Sequence, residues 1–279
     1  MSKYSHKANL EKLYFITTLT GFMKEVQKQI QIGYKYYFEN KFEYTKLKDV
    51  LGRLDEDYHV CESSDDRWHR QQENKVSVQL IMFYHGGDMI HFVLLAREGI
   101  NGSKNHNFFK TLKPKDATLG HQRFTLNQYM LIRCNKQSYE LKDQNINVPA
   151  VVGQWSYGLQ KTYIEEIKRD FLQYLKLNDT YRLNQLYRSL TKLIAFGKVR
   201  TNYVNLRIFM AKEINIRLKS DKFFKTTIAG DFYVMPEKLP ILKGIKIPTI
   251  TVAEQIKPTI LKKMTHPELS RKTMIFNDE

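Results

Sequence analysis

Cysteine is almost missing from this 279-residue chain, and its scarcity excludes a disulfide-stapled scaffold. Only Cys61 and Cys134 are present, and neither has ligand neighbours at the short spacing of a zinc site, so no metal and no cofactor is expected. No apolar run approaches the ~20 residues of a membrane-spanning helix, and no signal-like stretch opens the chain, so a reducing, cytoplasmic compartment is the expectation. Histidines never occur as His-x-His, the pairing a histidine-dependent nicking enzyme needs on one strand. Carboxylates are scarce beside cations: 29 Asp and Glu face 45 Lys and Arg, a formal net charge of +16. A field of that sign attracts polyanions, which means nucleic acid before an anionic membrane surface or an acidic protein.

The richest stretch runs from Asp179 to Arg217. Leu183, Leu186, Tyr187, Leu190, Leu193 and Ile194 recur at helical spacing, while Arg182, Arg188 and Lys192 fall outside that stripe. Asp179 or Thr180 suits the start of this helix and Gly197 suits its end. A second helix is expected from Val199, with Tyr203, Leu206 and Met210 inward and Lys198, Arg200, Asn202, Asn205 and Arg207 between them. Two helices joined at a glycine, the second led by cations and asparagines, suggest a helix-turn-helix-like nucleic-acid reader. Plain core packing with solvated lysines produces the same pattern. The local charge supports the first reading: residues 161–225 hold fifteen Lys or Arg against six Asp or Glu.

Elsewhere the pattern predicts an α+β fold. Apolar positions between Lys7 and Asn40 predict a long N-terminal helix. Val76, Val78, Leu80 and Met82 alternate with Ser77, Gln79 and Ile81, and His85-Gly86-Gly87-Asp88 then turns the chain into MIHFVLLA, so residues 76–97 read as a β-hairpin with a central second strand. His91, inside it, reads as a core histidine. Residues 123–134 predict a further strand of the same small antiparallel sheet, flanked by Arg123 and Arg133. Residues 99–120 read as a long polar loop. Asp55, Glu56, Asp57, Glu62, Asp65 and Asp66 read as an acidic surface loop, with a divalent-metal nuclease site as the competing chemistry. Trp155 is expected to open the helical half. Residues 231–235 suggest a strand, Ile245 to Val252 extended pieces docking on the body, and five of the seven prolines break up a basic tail. The expected organisation is residues 1–158 as N-terminal helix plus sheet, 159–235 as a basic helical region packed with it, and 236–279 as the tail, all within one compact domain.

Three features taken together carry a resemblance. They are His91-Phe92-Val93-Leu94-Leu95-Ala96 leading to Gly99, the strand ending Tyr129-Met130-Leu131-Ile132-Arg133, and Trp155-Ser156-Tyr157 followed by Leu186-Tyr187 and Phe196-Gly197-Lys198-Val199-Arg200. Over roughly residues 75–210 this order resembles basic DNA-binding mobilisation and accessory proteins of conjugative plasmids and integrative elements. The resemblance implies recognition of a transfer or replication origin, with protein partners in such a complex, and brings no catalytic residue.

The function expected from the sequence is therefore non-enzymatic nucleic-acid binding, duplex DNA favoured. Arg182, Arg188, Lys192, Lys198, Arg200, Asn202, Asn205, Arg207, Arg123 and Arg133 are the contact candidates, with Arg200, Asn202, Asn205 and Arg207 placed to reach base edges. The alternatives are an RNA-binding subunit whose sheet presents Tyr129 and Phe92 to single strands, a metal-dependent nuclease, and an adaptor for an acidic protein.

Overall fold

The structure, a computed structural model, describes residues 10, 13–84, 86–134, 154–220, 239 and 249–251. It is α+β, as expected, and divides into two compact units, Met1–Phe124 with Ile245–Glu279 and Thr125–Gly244. In chain order the described strands are β1 (Tyr14–Ile16), β2 (Tyr36–Glu43), β3 (Ser77–Phe83), β4 (Met89–Arg97), β5 (Lys115–Asp116), β6 (Thr125–Leu126), β7 (Tyr129–Cys134), β8 (Gln154–Leu159) and β9 (Thr249–Thr251). The α-helices are α1 (Leu19–Gln31), α2 (Leu47–Tyr58), α3 (Ser64–Gln72), α4 (Asn107–Thr111), α5 (Lys161–Lys176), α6 (Thr180–Thr191) and α7 (Gly197–Ser220).

The first unit is a six-stranded sheet ordered β5-β2-β4-β3-β1-β9. Its pairs are antiparallel except β1 with β3. The hairpin expected at 76–97 forms as β3 and β4, with Gly86 and Gly87 at φ +97° and +103° in the turn. Its second strand is central, and Ile90, Leu94, Leu95 and Ala96 have no exposed surface. Burying a side chain of leucine or isoleucine size contributes about 1.5–3 kcal/mol, so β4 anchors the unit. Alternation along β3 sends Val78, Met82 and Tyr84 to one face, where Leu47, Leu51, Tyr58 and Phe108 from α2 and α4 close the core. The intervening Phe83 faces α1, its ring centroid 5.5 Å from that of Phe22.

Several expectations are corrected here. The long helix over 7–40 is replaced, within the described residues, by β1, α1 and β2. Thr18 caps α1, accepting the Gly21 N–H at 3.2 Å, and Gly33 at φ +106° takes the chain out of the helix. Beyond it, Tyr36, Tyr37 and Phe38 pair with Ala96, Leu95 and Leu94, where aromatic side chains suit a pleated, half-buried surface. The expected acidic loop is the end of α2, the start of α3 and the short connection between them, which holds Glu62. Buried Asp55 accepts the Cys61 N–H at 2.8 Å, Ser63 and Asp66 form a capping box on α3, and Glu62 pairs with Arg70. The loop expected over 99–120 contains α4 and β5. Residues 129–134 do not join the hairpin: β7 lies in a separate sheet ordered β6-β7-β8, and Trp155 belongs to β8 rather than to a helix. The division therefore falls at 124/125 instead of 158/159. Of the expected tail, Thr249–Thr251 docks as β9 on β1, while the strand proposed at 231–235 and the basic residues beyond 251 lie outside the described residues.

Candidate nucleic-acid interface

In the second unit a β-hairpin supports three helices. Tyr129, Leu131 and Tyr157 are fully buried between the small sheet and the helices, together with Phe171 of α5, Leu183 and Leu190 of α6, and Val199 and Tyr203 of α7. The Tyr129 phenol accepts the Ile194 N–H at 2.9 Å, which ties the α6–α7 connection to β7. Burial pushes that phenol up to about 12, so it stays neutral at ordinary pH. Asp179 caps α6 as expected, its carboxylate accepting the Arg182 N–H at 3.0 Å.

The helix α7 is seated on the edge of β8 by three features. The Asn202 side-chain oxygen accepts the Leu159 N–H at 3.1 Å, and the Ser156 hydroxyl accepts the Lys198 N–H at 3.3 Å. Gly158 leaves the room between them: a Cβ built there would sit 3.1 Å from Lys198 Cγ and 3.3 Å from Asn202 Oδ1. Gly197 begins this helix rather than closing the one before it. The helix α5 packs against both α6 and α7, and this packing does not establish the helix-turn-helix-like unit expected from the sequence.

Val199, Tyr203, Leu206 and Met210 face inward, and this fixes the rotation of α7. The opposite face carries Lys198, Thr201, Asn205, Ile208, Lys212, Asn215 and Lys219 at alternating steps of three and four residues, every one of them exposed. That strip spans 21 residue steps, ~30 Å at the helical rise, and contains no carboxylate.

Charge is distributed very unevenly along the chain. Residues 13–124 hold 16 Lys and Arg against 14 Asp and Glu, whereas residues 154–220 hold 13 against 5. Within the second unit, α5 neutralises part of its own charge through the exposed pairs Lys168–Glu165 and Arg169–Asp170. From Thr180 to Lys212 there are seven cations and no acidic residue at all. Among the described residues, the largest share of the net positive charge therefore lies on α6, α7 and the residues between them.

Of the predicted contact residues, Arg182, Arg188, Lys192, Lys198 and Asn205 are exposed on these helices. Arg182 is partly engaged, 3.4 Å from Asp179 and stacked over Tyr174 at 5.7 Å. Arg200 and Arg207 are half-buried, and the Nε of Arg200 is buried without a hydrogen-bond partner among the described residues. Asn202 is committed to β8 and leaves the base-reading set. Arg133 is exposed on β7, but Arg123 belongs to the other unit, where its carbonyl accepts the Tyr37 hydroxyl at 3.2 Å. Sequence reasoning missed Thr201, Ile208, Lys212, Asn215 and Lys219, which the length and rotation of α7 bring into one line.

The competing chemistries find less. Tyr129 has no exposed surface and Phe92 retains 6%, so neither offers a face to an unpaired base. Among the described residues no group of three or more His, Cys, Asp or Glu is placed to hold a metal ion. Burial next to Asp55 pushes the Cys61 thiol up to about 12, far from a nucleophilic thiolate. Among those residues no helix is long and apolar enough to cross a membrane. Comparison with protein-family models, with curated proteins and with solved structures finds no match to this chain.

Proposed function

We propose that this chain is a cytoplasmic, non-enzymatic duplex-DNA-binding protein whose second unit makes the contact. One observation carries the reading: the exposed strip from Lys198 to Lys219 on α7 combines cations, asparagines and isoleucine with no carboxylate. An α-helix fits the major groove, where asparagine pairs with adenine edges and lysine with guanine or phosphate. Arg182, Arg188 and Lys192 on α6 supply phosphate contacts that set affinity and register, and Asn205 and Asn215 reach base edges. Duplex is favoured over single-stranded RNA because the sheet aromatics are buried. The resemblance to mobilisation and accessory proteins supplies the setting, a transfer or replication origin of a mobile element with protein partners there.

The test is binding of the full chain to a random-sequence 30-base-pair duplex, to single-stranded DNA and to single-stranded RNA across a salt series. The expected order places the duplex first, with log affinity falling against log salt at a slope of about −4 to −6, since each neutralised phosphate contributes about −0.9. A flat salt response, or single strands bound more tightly than duplex, overturns the proposal.

A further inference from the structure

Ile208 is 59% exposed and lies on the solvent side of α7. Ile208 lies outside the buried core. A β-branched side chain in water contributes little to the core and lowers helix propensity relative to alanine or leucine. Ile208 stands in the strip between Asn205 and Lys212, three residues after the one and four before the other, so it projects from the face that carries the polar contact residues.

In the major groove the only apolar feature of a base pair is the 5-methyl group of thymine, beside which adenine displays the donor and acceptor that asparagine pairs with. Cations alone would make α7 indifferent to sequence. An isoleucine flanked by asparagines does not have that indifference.

We propose that Ile208 packs against pyrimidine 5-methyl groups in the major groove, so that the second unit prefers duplexes containing A·T pairs. This rests on the duplex-binding proposal above and adds the base class it selects. Charge complementarity identifies the occupant of this face: seven cations and no carboxylate between Thr180 and Lys212 disfavour a basic partner and favour a polyanion.

Four synthetic duplex polymers test it with the full chain at one salt concentration: poly(dA-dT), poly(dA-dU), poly(dG-dC) and poly(dG-5-methyl-dC). Uracil differs from thymine only by the missing methyl, and 5-methylcytosine places a methyl at the same groove position. The expected result is binding to poly(dA-dT) about three- to tenfold tighter than to poly(dA-dU), in line with burial of one or two methyl groups. Methylation should also strengthen binding to the G·C polymer. Ile208→Ala should bring the affinities for poly(dA-dT) and poly(dA-dU) together; the residue is exposed, and an unaltered melting temperature verifies the fold. Equal affinity of the unaltered protein for the A·T and A·U polymers overturns this inference and leaves duplex binding standing. A methyl preference that persists in Ile208→Ala also overturns it, because groove shape would then be the cause. Binding to none of the four polymers overturns the duplex-binding proposal itself.

Discussion

The Asn202 side-chain oxygen accepts the Leu159 N–H at 3.1 Å, so a residue of the second turn of α7 completes the outer edge of β8. An asparagine that the sequence places among base-reading candidates is therefore a structural joint. Asn202→Ala leaves that N–H unpaired at a half-enclosed edge, and the expected cost is about 1–3 kcal/mol of unfolding free energy. Asn202→Asp, which keeps an acceptor, should lose less. Chemical denaturation measures both, and binding to different duplex sequences should shift in parallel rather than in preference. Unchanged stability of the alanine variant would count against the joint.

Gly158 is the companion feature on the strand side. A methyl there would meet Ile132 Cδ1 and Lys198 Cγ at 3.1 Å each, tighter than ordinary contact, so Gly158→Ala should force α7 off β8 at a cost of about 1–3 kcal/mol. One of the obstructing atoms belongs to an exposed lysine stem. Adding Lys198→Ala should therefore recover part of the loss, and a double-mutant cycle in denaturant measures the coupling. Strict additivity would show that the strand and helix do not press together at this point.

The cations of α6 and α7 should not be equivalent. Lys192→Ala and Lys198→Ala are expected to weaken binding to every duplex similarly and to reduce the salt slope by about one unit each. Arg182→Ala should do less, because Asp179 at 3.4 Å already offsets part of its charge. Salt-titrated anisotropy on two unrelated duplex sequences separates these outcomes. A change in the ratio of the two affinities would place the mutated side chain at a base instead of a phosphate.

How far the sequence alone reached depends on whether burial followed a local period. The hairpin β3–β4 and the inward stripes of α6 and α7 were legible because alternation or helical spacing coincides with one buried face, as at Val78 and Met82 or at Tyr203, Leu206 and Met210. In β2, by contrast, the apolar residues Tyr36, Tyr37 and Phe38 are consecutive and continue the helical spacing of Val26 and Ile30. Only the distant partner β4 decides in favour of a strand. The candidate interface followed the same rule. That residues 180–212 carry cations without carboxylates was readable from composition, but the separation of Asn202 from Asn205 was not. An asparagine amide accepts a backbone N–H as readily as it pairs with adenine, and the seating of α7 on β8 selects between the two. Ile208 looks like core in a linear sequence; the burial of Val199 and Met210 turns it to solvent.

His106 gives the first unit a dependence on pH. Its Nδ1 accepts the Phe108 N–H at 3.1 Å and caps α4, while burial, then the charges of Arg70, His59 and Lys110, pulls its pKa down to about 4. The unfolded chain, with an ordinary histidine near 6.5, binds more protons than the folded one between those values. Stability is therefore fully present above about pH 6.5 and declines as pH falls toward 4. For a half-buried ring, screened in part by solvent, the expected decline is about 1–2 kcal/mol. His106→Asn keeps a capping acceptor without the titration and should flatten denaturation midpoints across this range. An equally steep decline in the variant would assign the effect to other groups.

The first unit is built from two separated pieces of chain, residues up to Phe124 and residues from Ile245 onward, and its strand β9 is drawn from the second piece. During synthesis the edge of β1 that β9 will cover stays open until about 120 further residues have emerged, at 5–20 residues per second a wait of roughly 6–24 s. The inserted unit, whose own sheet and helices are contiguous in sequence, has everything it needs earlier. The two units thus mature out of the order in which they begin, and an unpaired β1 edge exposed for that interval is the point at which the nascent chain is most open to strand-mediated association.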